Sequence, residues 1–576
     1  MFIRPCYRTK NGQRHAYWAL VESYRTDRGP RQRVVAYLGQ LKETERRGVK
    51  QAAEGKTKAS CQQLQLFDED AKPEPEWVEV DAANVRVENE VDFGGPWLAW
   101  QLLQTLQLDE LFGRVMPRGG EDIPWAKMAV VLAICRLCKP SSELHIAEHY
   151  YRSTALAELL GIPAEKVNEQ RLYRALDKLL PHKESLEKHL KNRLGDLFSL
   201  EYDLLLYDVT STYFEGECKA NPKAQRGHSR DKRSDCKQIC IGLVVSRCGM
   251  PLGYEIFAGN RNDVKTWQEI VTTMETRYGK ADRIWCGDRG MMSKENVKFM
   301  ESANRRYIIG ASKGTLKKFE QDLLKDDWQV IREGLEVKLC QAPRGGQETY
   351  ILCRSRDRRE KEKAMHGRFE KRIDEALENV QASCQKRKWK KETIDRRIGR
   401  IMAKNSRAAK LFEVEVKQLD GRTTVSWTKN ETWRGWAALS EGCYLLRTNV
   451  TDWTAEDLWQ AYIQLTEAEA AFRIHKSDLR VRPIWHQKED RVEAHILVCF
   501  LAYVLWKTLQ QMAKAAGLGD EPRRIFDELG EISLVDVVLP TRKGPDIRRR
   551  CVRRPTEHQA ILLDRLGFTL PRQVKS

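Results

Sequence analysis

Two acidic residues close runs that have the composition of buried strands. In "LLLYDVTSTYFEG" (204–216) four apolar or aromatic residues lead to Asp208, and in "DRIWCGDRG" (282–290) a similar run leads to Asp288. One carboxylate in such a place is commonly a turn or cap residue. Two are a different matter, because the carboxyl ends of neighbouring strands in an open α/β sheet are where ligands bind. Converging carboxylates repel unless a cation lies between them, and Mg²⁺ is held by a few carboxylates together with substrate phosphate. That chemistry calls for a third acid. Glu469 supplies it in "AYIQLTEAEAAFRIHKSDLR" (461–480), where Tyr462, Glu469, Phe472, Arg473 and Lys476 recur at helical spacing. Tyr462 and Lys476 flank Glu469 by two turns on either side and share its face. The competing reading of this helix is a solvated face with an ion pair between Glu469 and Arg473.

The elements that must position these residues follow from the pattern of the chain. "YDLLLYDVT" (202–210), "KQICIGLVVSRCGMPLGYEIFAG" (237–259) and "DRIWCGDRG" read as strands, with "DVKTWQEIVTTMETRYG" (263–279) as a crossover helix. An α/β core therefore runs over 199–313. It resumes over 437–515, where "GCYLLRTNV" (442–450) returns to strand character, and residues 314–436 read as a β/helical basic insertion that splits it. Residues 94–198 have helical periodicity throughout and form an all-helical domain, a candidate for binding DNA ends. Within it "KVNEQRLYRALDKLL" (166–180) has the size and charge of a groove-reading helix, though a core helix fits equally. At the N-terminus, 1–42 reads as a small β-hairpin unit that could contact DNA, and 43–93 as a linker with a short strand. Residues 516–576 read as a basic tail carrying "IRRRCVRRP" (547–555).

The chain has 576 residues, with 100 Lys and Arg against 82 Asp and Glu, a formal charge of +18 that favours a polyanionic partner. Residues 354–410 hold 20 of those basic residues against 9 acidic ones, a pattern shared by phosphate-contacting surfaces and by solvated helical faces. The 15 cysteines lack paired spacing and the N-terminus lacks an apolar signal region, which points to reduced thiols and the cytoplasm. The longest apolar run, "ILVCFLAYVLW" (496–506), falls short of the roughly 20 residues of a bilayer crossing. It reads as a buried core helix, and no membrane role is expected.

Taken in order, "YDVTSTYFEG", "GHSRDKRSDCKQICIGLVVSRCGMPLGYEIFAGNRNDVKTW", "GDRGMMSKEN" and the Tyr462–Glu469–Lys476 spacing resemble bacterial insertion-sequence transposases of the DDE class. The group most similar carries a Tyr-Arg-Glu-Lys signature. The resemblance extends from the N-terminal unit to about residue 512. It implies an RNase H-like mixed sheet in which Asp208, Asp288 and Glu469 hold two Mg²⁺, with Mn²⁺ able to substitute. It further implies an enzyme that binds the terminal inverted repeats of its element, cleaves there, and joins the 3′-OH to target DNA. Such an enzyme works as a homodimer on double-stranded DNA, in the bacterial cytoplasm and at the nucleoid. Two metals about 3.5–4 Å apart suit this chemistry, activating the attacking oxygen and stabilising the leaving one, so the protein needs no nucleophile of its own. Tyr462 and Lys476 match positions that contact phosphates. His228, Arg230 and Lys232, in "GHSRDKRSDCKQ" (227–238), match a segment near the substrate, although a solvated loop has the same composition. One departure is Leu465, where the signature has Arg, and Arg473 is the candidate to replace that contact.

Three other patterns compete for a role. "HIAEH" (145–149) fits an H-x-x-E-H zinc motif, with His145, Glu148 and His149 as a metalloprotease site, and Cys135 and Cys138 lie upstream. The cysteines fall in an apolar helical run, however, and the gap to His145 is too short for a finger loop. Trp427, Trp433 and Trp436 could stack on an unpaired base, but their spacing also suits core packing. Finally, a relative that has lost catalysis and only occupies element ends would share most of these features; the presence of all three acids favours activity.

Overall fold

Residues 2–10, 13–26, 29–39 and 79–571, apart from 292, 344, 346–347, 420 and 543, are described by a computed structural model. The first of these form a three-stranded antiparallel sheet of β1 (Phe2–Lys10), β2 (Gln13–Thr26) and β3 (Gly29–Gly39). The expected hairpin gains a strand because "FIRPCYRTK" pairs residue by residue with Gln13 to Val21. Most of the linker expected over 43–93 lies outside the described residues; its end is β4 (Arg86–Asp92).

Between β4 and residue 198 the chain is helical, with α1 (Gly94–Thr105), α2 (Trp125–Cys138), α3 (Glu169–Leu179) and α4 (Lys183–Phe198) as its longest pieces. Asn168 caps α3 by accepting from the Arg171 N–H, and the helix buries Leu172, Ala175, Leu176 and Leu179, one stripe at three- and four-residue spacing. Its basic flank is tied down, since Arg171 and Lys166 both pair with Asp122.

The core is a nine-stranded mixed sheet. Its strands are β5 (Leu204–Tyr213), β6 (Gln238–Ser246), β7 (Pro251–Ala258), β8 (Ile284–Gly287), β9 (Arg306–Gly310), β10 (Gln329–Arg332), β11 (Leu335–Gln341) and β12 (Thr349–Ser355), joined later by a strand at Cys443–Thr448. Helix α5 (Asp263–Tyr278) crosses over between β7 and β8, so β5, β8 and β9 run parallel. Helices α6 (Arg356–Lys386) and α7 (Lys391–Lys404) follow, with the hairpin β13 (Phe412–Leu419) and β14 (Arg422–Lys429). The returning strand is β15 (Cys443–Thr448), and the order across the sheet is β10-β11-β12-β15-β9-β8-β5-β6-β7. The α/β, RNase H-like class expected from the sequence is the class observed. The boundary set at 314 is displaced, however, because β10 to β12 extend the core sheet through the pairing of β12 with β15. Only the α6–β14 region stands apart, with its own core of Ile373, Leu377, Val380, Ile394, Ile398, Phe412 and Val425.

Helices α8 (Ala455–Ile463), α9 (Leu465–Ser477) and α10 (Glu489–Ala515) close one face of the sheet. Strand alternation divides the sheet side chains: Leu204, Leu206, Ile284, Cys286 and Ile308 face that side, while Leu205, Tyr207, Trp285, Tyr307 and Ile309 face α5. Among the described residues α10 is the one helix long and apolar enough to cross a membrane, yet 94% of its apolar window is buried inside the protein. Each large apolar side chain buried along it contributes about 1.5–3 kcal/mol. The eleven-residue run read from the sequence is only its middle.

The expected C-terminal tail is folded. After α11 (Pro522–Gly530), β16 (Ser533–Leu539) pairs antiparallel with both β4 and β17 (Ile547–Val552), and α12 (Glu557–Leu566) follows. The arginines of "IRRRCVRRP" thus begin in a strand, where Arg550 pairs with Glu158 and Asp536.

Candidate active site

Asp208 is not at the end of its strand, since β5 continues to Tyr213 against the longer β6. It does mark the end of the parallel ladder. The last pair between β5 and β8 is Tyr207 with Gly287, so the next residue on each strand is Asp208 and Asp288. Adjacent strands are about 4.8 Å apart, which makes the two aspartates lateral neighbours. Period-2 alternation puts both on the side of Leu206 and Cys286, the side closed by α9. Helix α9 packs on β5 and β6 and carries Glu469.

Gly287 allows β8 to reach this position, because a Cβ there would lie 2.4 Å from Trp267 Cζ3, on a ring buried against Tyr207 and Trp285. Gly310 does the same on β9: a Cβ would lie 2.6 Å from the Tyr462 hydroxyl and 3.0 Å from the Arg289 nitrogen. Tyr462 is thereby placed beside the residue that follows Asp288. Burial is the main reason its phenol is raised above its ordinary pKa, followed by the charges of Cys286 and Asp288.

The Asp208 carboxyl is pushed up to about 6, mainly by burial, and further by the charges of Asp288 and Glu469; Arg230 and the Val209 N–H pull the other way. Val209 N–H donates to Asp208 Oδ1 at 2.8 Å, and Gly290 N–H to Asp288 Oδ1 at 2.7 Å. All three acids thus act on one place. They form an open set: among the described residues the only His, Cys, Asp or Glu trio with ligand atoms all within 4.8 Å of one another lies elsewhere. Three like charges keep their distance, and a hard divalent cation with oxygen ligands is the partner that such a donor set fits.

The basic residues singled out in the sequence are distributed unequally. Arg230 pairs with Asp263 at 2.5 Å, its backbone N–H donates to Ser211 Oγ at 3.2 Å, and its charge reaches Asp208. Lys476 donates to Asp231 Oδ1 at 2.9 Å, in a pair whose side chains are only 11% and 5% exposed, and Arg482 joins the same oxygen. Burial lowers the Lys476 ammonium. His228, Lys232 and Arg473 are exposed, and no Glu469–Arg473 ion pair forms among the described residues. The shared face assumed for Tyr462, Glu469 and Lys476 is interrupted, because the helix breaks at Gln464 and Tyr462 belongs to α8. Leu465 opens α9 as a core residue. A cavity of about 310 Å³ adjoins the site, lined by Ser211, His228, Arg230, Gln238, Arg261 and Asp263 among others. A second cavity, of about 540 Å³, lies among the N-terminal helices and includes none of the three acids.

The other sequence patterns resolve differently. Cys135 and Cys138 are thiols of α2 that burial pushes up, the latter to about 12. The His145 and His149 rings lie against each other, tilted by 38° with centroids 5.1 Å apart, and Glu148 is not gathered with them into a metal-sized cluster among the described residues. The close trio is Glu143, His486 and His495, which sequence spacing could not reveal because the last two come from the far end of the chain. Buried Arg136 donates to His495 Nδ1 at 3.4 Å, and Glu143 is lowered to about 2 by His486, His495 and Arg136 against the opposing effect of burial, the largest single influence. That arrangement is a buried polar junction between the helical region and the segment that leads into α10. Trp427 and Trp433 pack on the α6–α7 core, and Trp436 packs near Phe319 and Tyr350.

Residues 199–505 match the family described as "Transposase DDE domain", and residues 3–70 match "IS1634 family transposase, N-terminal domain". Among solved structures, similarity extends to the cryo-EM structure of the piggyBac transposase synaptic complex with hairpin DNA, at 8% identity and a TM-score of 0.36 over 79% of this chain and 82% of that one. No protein of curated function matches the chain.

Proposed function

The chain belongs to the DDE transposase family of insertion sequences, and from that premise we propose that it binds the inverted repeats of its element, cuts the DNA at the ends and joins the freed 3′-OH to a target. The observation that carries this reading is that Asp208 and Asp288 each follow the last pair of the parallel ladder, on the sheet face covered by the helix of Glu469.

Asp208, Asp288 and Glu469 would hold the divalent ions, and the raised carboxyl of Asp208 fits a ligand that is under-compensated by its protein neighbours alone. Two Mg²⁺ held there would supply activation of the attacking oxygen and stabilisation of the leaving one. The chain's own residues do the rest. Strands β5 and β8 fix the two aspartates through backbone ladders and through the Val209 and Gly290 N–H groups. Arg230, held by Asp263, offsets negative charge beside Asp208. Tyr462 borders Asp288 with a hydroxyl suited to a phosphate oxygen. Exposed His228, Lys232 and Arg473 are available to backbone phosphates, whereas Lys476 first has to leave Asp231. Two ends must be held together for joining, so a homodimer assembled on DNA is part of the proposal.

Purified protein incubated with labelled element-end DNA and Mg²⁺ should give cleavage at the element boundary, and Asp288→Ala should reduce it by at least about 100-fold with DNA affinity retained. Binding without cleavage by the wild-type protein, under Mg²⁺ or Mn²⁺, would instead establish the inactive end-binding relative.

A further inference from the structure

Among the large apolar side chains exposed in the described residues, Trp485 is the most exposed, at 69%. The backbone around it is fixed. Ile484 N–H donates to Tyr213 O at 3.0 Å, and Glu215 N–H to Ile484 O at 3.0 Å, so the segment runs beside the end of β5. Gln487 Nε2 donates to the carbonyls of Trp485 and Glu215, and Gln487 Oε1 accepts from Cys218 N–H. The neighbours of Trp485 both point inward: Ile484 is fully buried and His486 faces Glu143 at 3.4 Å. With both neighbours anchored, the indole cannot fold back into the core, and a rigid backbone presents it to solvent.

Exposed cations lie on both sides of it in sequence: Arg480, five residues before, and Lys488, three after, form no ion pair among the described residues. Of the acids near in sequence or through the Gln487 bridge, Glu215 pairs with Arg233, Glu217 with Lys219 and Glu489 with Lys223, while Asp490 is exposed. A rigid aromatic face with exposed cations before and after it in the chain fits a ligand that combines a π-face with negative charge, which is the chemistry of an unpaired nucleotide. A second protein copy fits less well, because a stable interface needs on the order of 800 Å² per partner and an indole supplies about 250 Å² at most. Phe214, the bridge partner of Ile484, lies one residue past the end of β5 and six beyond Asp208, roughly 20 Å away at about 3.3 Å per residue.

We propose that Trp485 stacks on an unpaired base of the DNA held at the carboxylate site, with Arg480 and Lys488 on the adjoining phosphates. The proposal rests on the transposase reading above and adds a contact to it. The test uses the full chain, a short single-stranded oligonucleotide carrying one 2-aminopurine, and the corresponding fully paired duplex. Wild type should quench the 2-aminopurine. Trp485→Ala should lose the quenching and roughly 5- to 100-fold in single-strand affinity, leave duplex affinity unchanged, and be largely rescued by Trp485→Phe. Arg480→Ala and Lys488→Ala should each lower the salt slope of single-strand binding by about 0.7. Equal quenching and affinity in wild type and Trp485→Ala would overturn this inference and leave the transposase reading standing. A loss of self-association in Trp485→Ala, seen by sedimentation with DNA affinity unchanged, would also overturn it, in favour of a protein contact. Failure of wild type to bind either DNA would overturn both.

Discussion

Replacing Asp208 by Asn should stabilise the protein at neutral pH while abolishing cleavage. The carboxyl is raised from its ordinary value of 3.8 to about 6, chiefly by burial. A raised acid costs stability when it ionises: the cost is absent below the unfolded value and complete above the folded one. It therefore grows as pH rises from about 4 to about 6, and two pKa units correspond to about 3 kcal/mol. Residual solvent at this half-buried position reduces the figure, so a gain of about 1–3 kcal/mol is expected for the isosteric, uncharged Asn. Urea midpoints should show Asp208→Asn more stable than wild type near pH 8 and equal to it near pH 4. Adding Mg²⁺ should narrow the gap near pH 8, because a divalent ion compensates only the carboxylate. An Asn variant no more stable than wild type near pH 8, or one whose advantage persists unchanged at pH 4, would refute the view that Asp208 is held at a strained ionisation by its surroundings.

Two further substitutions test the scaffold. Gly287→Ala would drive a methyl to 2.4 Å from the Trp267 ring, so it should cost about 1–3 kcal/mol and displace Asp288, seen as reduced cleavage at unchanged DNA affinity. Asp231→Asn leaves Lys476 and Arg482 without their shared counter-charge in a buried setting and should cost about 3 kcal/mol by denaturant unfolding.

The readable parts of the fold were those with local signals. Runs such as "LLLYD" and "RIWCGD" announce buried strands because an interior strand is apolar on both faces. The register that makes Asp208 and Asp288 neighbours follows from a single crossover helix between the strands. The obscure parts depend on distant partners. Nothing near residue 536 signals pairing with a strand near residue 88, yet β16 joins β4, and the tail expected after 516 is folded as a result. Sequence alone assigns β10 to β12 to the insertion, because only their pairing through β15 places them in the core sheet. The break at Gln464 was hidden as well, since that residue keeps helical angles, φ −64° and ψ −11°, while the hydrogen-bond pattern changes. The Lys476–Asp231 pair spans 245 positions, so spacing within one helix could suggest a phosphate contact but not its internal occupant. Trp485 carries no local signal for a related reason: clustering in sequence singles out Trp427, Trp433 and Trp436, whereas exposure is decided by which neighbours are anchored.

The use of positive charge bears on how such a site could receive DNA. A chain of +18 attracts a polyanion, yet two cations close to the carboxylates are already committed, Arg230 to Asp263 and Lys476 to Asp231. Exposed charges more than about 8 Å apart are largely screened at physiological salt, so remote lysines cannot neutralise phosphates at the site itself. Long-range attraction and local charge compensation are thus assigned to different residues. On the proposed reading, long-range attraction would come from surfaces such as α6 and α7, where Lys386, Arg387 and Lys388 are exposed at the junction of the two helices. On the proposed transposition reading, a phosphate arriving close to Asp208 would meet three acids and paired cations, and would bind favourably only when divalent ions complete the site or when Lys476 exchanges Asp231 for it. DNA affinity should accordingly fall steeply with salt, while cleavage of DNA already bound should depend on divalent-ion concentration and hardly on salt.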